Sequence, residues 1–255
     1  VSKDINSILE GWEFEPNQVI VRRIKGDDGR DKIQLRLDMG MLQMEFNGRP
    51  DGKTPFGKES LLDHYQSLLQ RHVEKNGSED GFTLDENDCT KLQQEAVQYY
   101  HRYLACFHLG EYDVVIRDTQ RNIALLDFVA KYAVKDELAM VFQQFRPYIL
   151  MMNTRSKANR ALERKDFSAA IDNITRGIEK IKDFLAQTQS EDMIEGSTEL
   201  KFLSTWLDEV KLHQPLTPRE KIQKDLAKAI EKEDYEMAAR LRDALFSMDK
   251  INKLL

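Results

Sequence analysis

The hydrophobic period of this chain changes once, near residue 60, and that change sets what the chain can fold into. Before it, apolar residues recur at every second position. After it, they recur at every third or fourth. Period two sends alternate side chains to opposite faces of a strand, whereas three-four spacing gathers them on one face of a helix. In residues 32–38, Ile33, Leu35 and Leu37 point one way and Gln34, Arg36 and Asp38 the other. Residues 19–24 (VIVRRI) are rich in β-branched side chains, and after Gly40 a third run alternates Leu42, Met44 and Phe46 with Gln43 and Glu45. Between the first two runs lies an Asp28-Gly29 step, the dipeptide favoured where a hairpin turn requires positive φ. These signals predict a three-stranded antiparallel meander with one apolar and one polar face. So small a sheet needs a cover, and the helices that follow are the obvious source.

From Ser60 onward, Leu61, Leu62, Tyr65, Leu68, Leu69 and Val73 form a helical stripe. After the acidic loop around residues 76–81, helices resume near Asp88 and continue to the end with few breaks. Only 12 Gly and 6 Pro occur in 255 residues, which favours long helices over many turns. Pro147 should divide the helix that contains it, because it has no N–H to donate. The expected fold class is α+β, predominantly α. A small antiparallel β-sheet region spans 1–59, a helical body of packed hairpins spans 60–214 and a separate helical hairpin spans 215–255.

Within the body, residues 109–116 (LGEYDVVI) and 162–171 (LERKDFSAAI) are alike. Both resemble the inter-helix turn of tetratricopeptide repeats, in which an acidic residue precedes an aromatic and small residues follow. Tyr112 and Phe167 are 55 positions apart (167 − 112), however, not the roughly 34 of tandem repeats. The resemblance therefore implies tetratricopeptide-like hairpin packing rather than a regular solenoid, and it implies no peptide-binding groove.

Residues 215–255 begin with strong start signals. Thr217 suits the N-cap, Pro218 the first helical position, and Glu220 can complete a capping box. Ile222, Leu226, Ala229 and Ile230 fall on one helix face. Asp234 can cap a second helix, on which Ala238, Leu241, Leu245 and Met248 form an antiparallel seam extending toward Leu254 and Leu255. The pattern Leu226-x-x-Ala229-Ile230-x-x-Glu233-Asp234-Tyr235-x-x-Ala238-Ala239-x-Leu241-Arg242-Asp243 resembles the UVR domain, the helical hairpin named after the excision-repair proteins UvrB and UvrC. That resemblance implies a protein–protein contact module and no catalytic activity. Tyr235, Ala238, Leu241, Arg242 and Leu245 are then the expected recognition neighbourhood. Tyr235 would anchor the turn, Ala238 allow close approach, Leu241 and Leu245 build the seam, and Arg242 pair with Asp243 or a partner acid.

Competing chemistries are weaker. The loop from Gly48 to Gly57 contains GKT but has one residue too few between its glycines for a phosphate-binding loop, and Pro55 and Gly57 stand where a helix should begin. It is still the stretch on which an enzyme or nucleotide-binding alternative would rest. His101 and His108, seven apart on one helix, are about 10 Å distant, too far to share a metal directly. Packing is the expected role for both. Asp27, Asp28 and Asp31 lack EF-hand spacing. Cys89 and Cys106 form no CxxC pair and are expected to be reduced thiols. No metal or other cofactor is expected. No apolar run approaches a membrane span, the N-terminal VSKDINSILE has no apolar signal-peptide core, and the start at Val1 suggests that a Met or something longer has been removed.

A DNA-repair-associated, nucleic-acid-binding alternative follows from the family name. It meets a net charge of -6, and a hairpin holding nine Lys or Arg against eight Asp or Glu. Nucleic acid is therefore not the expected partner. The basic residues of the sheet are interspersed with Asp, which predicts a solvated, charge-paired face. The expectation is a non-enzymatic bacterial adaptor in the cytoplasm, docking a protein partner through the hairpin, with a homodimer as one form that partner could take.

Overall fold

A computed structural model describes residues 4–188, 191–216 and 218–252, with the side chains at 188, 191–193, 218–220 and 247–252 left aside. The chain is 67% helical, with one three-stranded sheet at its N-terminal end, so it is α+β and predominantly α. It divides into two compact units, Val1–Asp208 and Glu209–Leu255.

After a short helix α1 (Asn6–Leu9), the first unit forms β1 (Val21–Lys25), β2 (Asp31–Leu37) and β3 (Gly40–Glu45), paired antiparallel in the order β1-β2-β3. The register opposes Ile33 to Met44 and Leu35 to Leu42, so the alternating apolar residues do share a face. Ile33, Leu35 and Met44 are buried, and β2 packs on α3 (Glu86–His108). Gly29 turns the first hairpin with φ of 73°, a value glycine adopts without steric cost.

The polar face departs from the expectation of a solvated surface. Gln34 and Lys32 are only 3% and 9% exposed. Arg22 donates to Gln34 Oε1 (2.6 Å), Gln34 donates to Gln43 Oε1 (2.8 Å), and Lys32 bridges Asp28 and Glu45. The reason is a cover the hydrophobic pattern did not reveal. The N-terminal segment reaches this face at Ile8, whose carbonyl accepts from Arg22 (3.1 Å), and at Trp12, whose ring lies under the Arg22 guanidinium (3.9 Å) and whose carbonyl accepts from Arg36 Nε (2.9 Å). Both faces of β2 are thus occupied, one by apolar packing and the other by hydrogen bonds and a cation–π contact.

The helical body continues with α2 (Leu61–Asn76), α4 (Tyr112–Tyr132), α5 (Asp136–Gln143), α6 (Arg146–Glu163), α7 (Phe167–Thr188), α8 (Glu191–Gly196) and α9 (Thr198–His213). Ser60 caps α2 by accepting from the Asp63 amide. Pro147 sits in the first turn of α6, where its missing N–H costs nothing, and the break falls just before it. Leu61, Leu62, Tyr65, Leu92, Leu125 and Val129 form the centre of a core built by α2, α3, α4 and α5. The second unit contains α10 (Pro218–Glu231) and α11 (Tyr235–Asn252). Among the described residues no helix is long and apolar enough to cross a membrane.

Three helix pairs, α3/α4, α6/α7 and α10/α11, are joined by one and the same turn. In each, a backbone N–H reaches back five residues: Glu111 to Cys106 (2.9 Å), Asp166 to Ala161 (2.9 Å) and Asp234 to Ala229 (2.8 Å). The residue before that N–H takes positive φ in every case, at Gly110 (74°), Lys165 (59°) and Glu233 (58°). This is the Schellman closure of a helix, which satisfies carbonyls that would otherwise be orphaned. Cys106, Ala161 and Ala229 are all small and buried, as two closely crossing helices require. The first two turns were legible as a repeat. The third belongs with them.

Candidate functional site

The α10/α11 hairpin is built from its turn outward. Asp234 caps α11 by accepting from the Met237 amide (3.0 Å), as Asp166 does from Ala169 (2.9 Å) at the equivalent turn. Ile222, Leu226, Ala238, Leu241 and Leu245 are half-buried and Ala229 is buried, which identifies the inward face of the pair. Ile230, expected on that face, is 55% exposed, because it lies about 100° around the helix from Ala229. The capping residues Thr217 and Glu220 and the seam positions Met248, Leu254 and Leu255 fall outside the described side chains.

The five expected recognition residues therefore do not form one cluster. Ala238, Leu241 and Leu245 turn inward, while Tyr235 and Arg242 turn outward. Seven residues separate Tyr235 from Arg242 and four separate Arg242 from Phe246, so all three lie within about 40° on one side of α11. Tyr235 is 70% exposed and Phe246 75%. Arg242 touches Asp243 (3.2 Å) with both side chains in solvent, a pair that contributes little and can be exchanged. At the other two turns the residue equivalent to Tyr235 is Tyr112 or Phe167, and each is half-buried. Phe246 is absent from the expected site, although an aromatic four residues beyond Arg242 was a readable signal.

The Gly48–Gly57 loop is held differently from a phosphate cradle. The free amides at the start of α2 are already occupied: those of Leu61 and Leu62 donate to the Glu95 carboxylate (2.8 and 3.3 Å). Glu95 is fully buried and is also paired with Arg121 and Arg49. Beside it, the fully buried Arg102 makes two bonds to the fully buried Asp118 (2.7 and 2.9 Å) and donates to the carbonyls of Glu45 (3.0 Å) and Gly48 (2.6 Å). Arg117 joins Asp118 to Asn47 and Phe46. These arginines fasten the loop to α3 and α4. At its far end Phe56, 71% exposed with φ of 52°, stacks on His64 at 4.0 Å.

His101 lines an apolar pocket of about 470 Å³ with Tyr100, Phe142, Phe145 and Tyr148, whereas His108 is solvent-exposed. Among the described residues no group of three or more His, Cys, Asp or Glu is placed to hold a metal ion. Cys89 and Cys106 are free and buried, which pushes their thiols up to about 11 and about 12. Partial burial also lowers the pKa of His64 and His101 below the ordinary 6.5. The folded state thus prefers neutral imidazoles and binds fewer protons than the unfolded chain. The corresponding stability is fully present above pH 6.5 and is lost as pH falls through the lowered folded values. The urea midpoint should decline between about pH 7 and about pH 5, and His101→Gln should flatten that decline. A midpoint that holds or rises on acidification contradicts this account.

Comparison with protein-family models, with curated proteins and with solved structures finds no match to this chain.

Proposed function

We propose that this chain is a non-enzymatic adaptor whose C-terminal helical pair is a UVR-type docking hairpin, in a chain that also has a tetratricopeptide-like body. The observation that carries the reading is the contrast between equivalent turns. Where Tyr112 and Phe167 are half-buried, Tyr235 is 70% exposed and shares a face with Arg242 and Phe246. Tyr and Arg are the residue types that dominate binding hot spots, and large aromatics left in water gain most from being covered. A protein partner in the cytoplasm fits this face. The hairpin's near balance of nine basic and eight acidic residues does not favour a phosphate backbone.

Affinity capture from the source cell, comparing wild type with Tyr235→Ser/Phe246→Ser, tests the reading. Both side chains are exposed, so the helical circular dichroism signal should be unchanged while retained partners fall at least about tenfold. Retention of every partner by this folded variant overturns the proposal. Leu241→Asp is the useful contrast: it strikes the inward seam and should lower helicity itself. Copies of the chain retained through the same face would identify the partner as a second copy.

A further inference from the structure

The first unit carries a groove of about 750 Å³ between α4, α6 and α7 whose charge runs against that of the molecule. The chain is net -6, yet the groove is lined by Arg146, Lys157, Arg176 and Lys180 against only Asp127 and Asp183. Arg146 is already committed to Asp127 and lies over the Phe184 ring. Among the described residues, Lys157, Arg176 and Lys180 form no ion pair. Arg176 and Lys180 stand one turn apart on α7, an arrangement of like charges that weakens a helix. Lys157 on α6 is half-buried, and its pKa is lowered first by burial and then by Lys180, Arg160 and Arg176. Three cations crowding a concave, partly dry surface are unfavourable until an anion joins them. Between them the groove presents apolar side chains at Ile123, Leu150 and Phe184.

We propose that this groove binds a short acidic peptide segment of a partner protein, its carboxylates meeting Lys157, Arg176 and Lys180 and its apolar side chains meeting Ile123, Leu150 and Phe184. The volume lies in the range of sites that enclose small ligands. A nucleic-acid backbone fits less well, because it has no use for the apolar floor and needs a longer basic footprint than three cations. The site lies wholly in the first unit and does not depend on the hairpin reading.

The test is fluorescence anisotropy on the full chain with a fluorescein-labelled peptide of alternating Glu and Ser around a central Leu. Its Gln-for-Glu counterpart and an oligothymidylate of equal charge serve as comparisons. The acidic peptide should bind, weaken with added salt, and lose at least about tenfold in affinity to Lys157→Gln/Lys180→Gln. Lys182→Gln, exposed on another face of α7, should bind as wild type does. Replacing crowded like charges should leave the unfolding midpoint equal or higher, so weaker binding will not reflect unfolding. The single variants Arg176→Gln and Lys180→Gln, both at exposed positions, provide a second measure. Equal binding of the Gln peptide, undiminished binding to the variants, no binding of the acidic peptide, or tighter binding of the oligothymidylate each overturns the proposal. The Tyr235→Ser/Phe246→Ser variant should keep peptide binding, which separates failure here from failure of the hairpin reading.

Discussion

Asp118→Ala should destabilise the first unit by about 3–5 kcal/mol, the cost of leaving a buried charge without its partner. Arg102 is fully buried, and its Nε and Nη2 are both bonded to Asp118. Without the carboxylate, the guanidinium keeps the carbonyls of Glu45 and Gly48 and the face of the Tyr99 ring, none of which neutralises it. Water has no ready path to a group with no exposed surface. Arg117 loses its bond to the same carboxylate, so one substitution weakens two links between α4 and the loop after β3. The measurement is a urea unfolding curve: the midpoint should fall sharply at nearly constant slope. Replacing both partners, as in Arg102→Met/Asp118→Leu, should recover much of the loss, because a packed apolar pair does not carry the desolvation cost. Recovery should be incomplete, since the two carbonyls then lose their donor. A loss below about 1 kcal/mol in Asp118→Ala, the range of an exposed pair, would show that this pair is hydrated.

Gly177→Ala is the second large effect, and its sign is opposite to what helix propensity gives. In an exposed helix interior this substitution gains up to about 1 kcal/mol. Here an added Cβ would stand 2.2 Å from Thr154 Oγ1, 2.4 Å from its Cγ2 and 2.8 Å from its Cβ. The last atom belongs to the stem of a buried side chain, so a rotamer change does not relieve the clash and α6 and α7 must part. Overpacking of this kind costs about 1–3 kcal/mol. Thr154→Ala removes the two nearest atoms but keeps the Cβ, so the double variant should recover only part of the loss. A Gly177→Ala protein as stable as wild type in thermal or urea unfolding would mean that the helices tolerate the separation.

Much of the architecture was legible because periodicity is a local property. The alternation of Ile33 with Gln34 and of Leu35 with Arg36 placed the strands. The Asp28-Gly29 step placed their turn, and Pro147 placed a helix boundary. The likeness of the turns before Tyr112 and Phe167 was also visible, since Schellman closure needs small residues at fixed distances from the αL position. Membership of the turn before Tyr235 in that set was harder to read. At its αL position it has Glu233 where the first turn has glycine, and the 68 residues from Phe167 to Tyr235 differ from the first interval of 55.

The charged core was not legible. Glu95, Arg102 and Asp118 interrupt the apolar stripes of α3 and α4, beside Leu92, Tyr99, Tyr103 and Val115. A charge on such a stripe announces that it needs a partner without saying which. Glu95 is 34 residues from Leu61, whose amide it accepts, and Arg102 is 54 from the Gly48 carbonyl.

The amino-acid pattern was enough to place strands before helices and to assign the inward residues of most helices, because these follow from backbone geometry and the spacing of neighbouring side chains. It took the folded arrangement to settle which charges are buried together, that Trp12 packs on the polar face of the sheet, that the α2 amides are taken by Glu95, and that Lys157, Arg176 and Lys180 share one groove. The physical reason is range. Secondary structure is written in contacts a few residues apart, whereas burial, pairing and electrostatic crowding depend on distances in space between residues the chain keeps far apart.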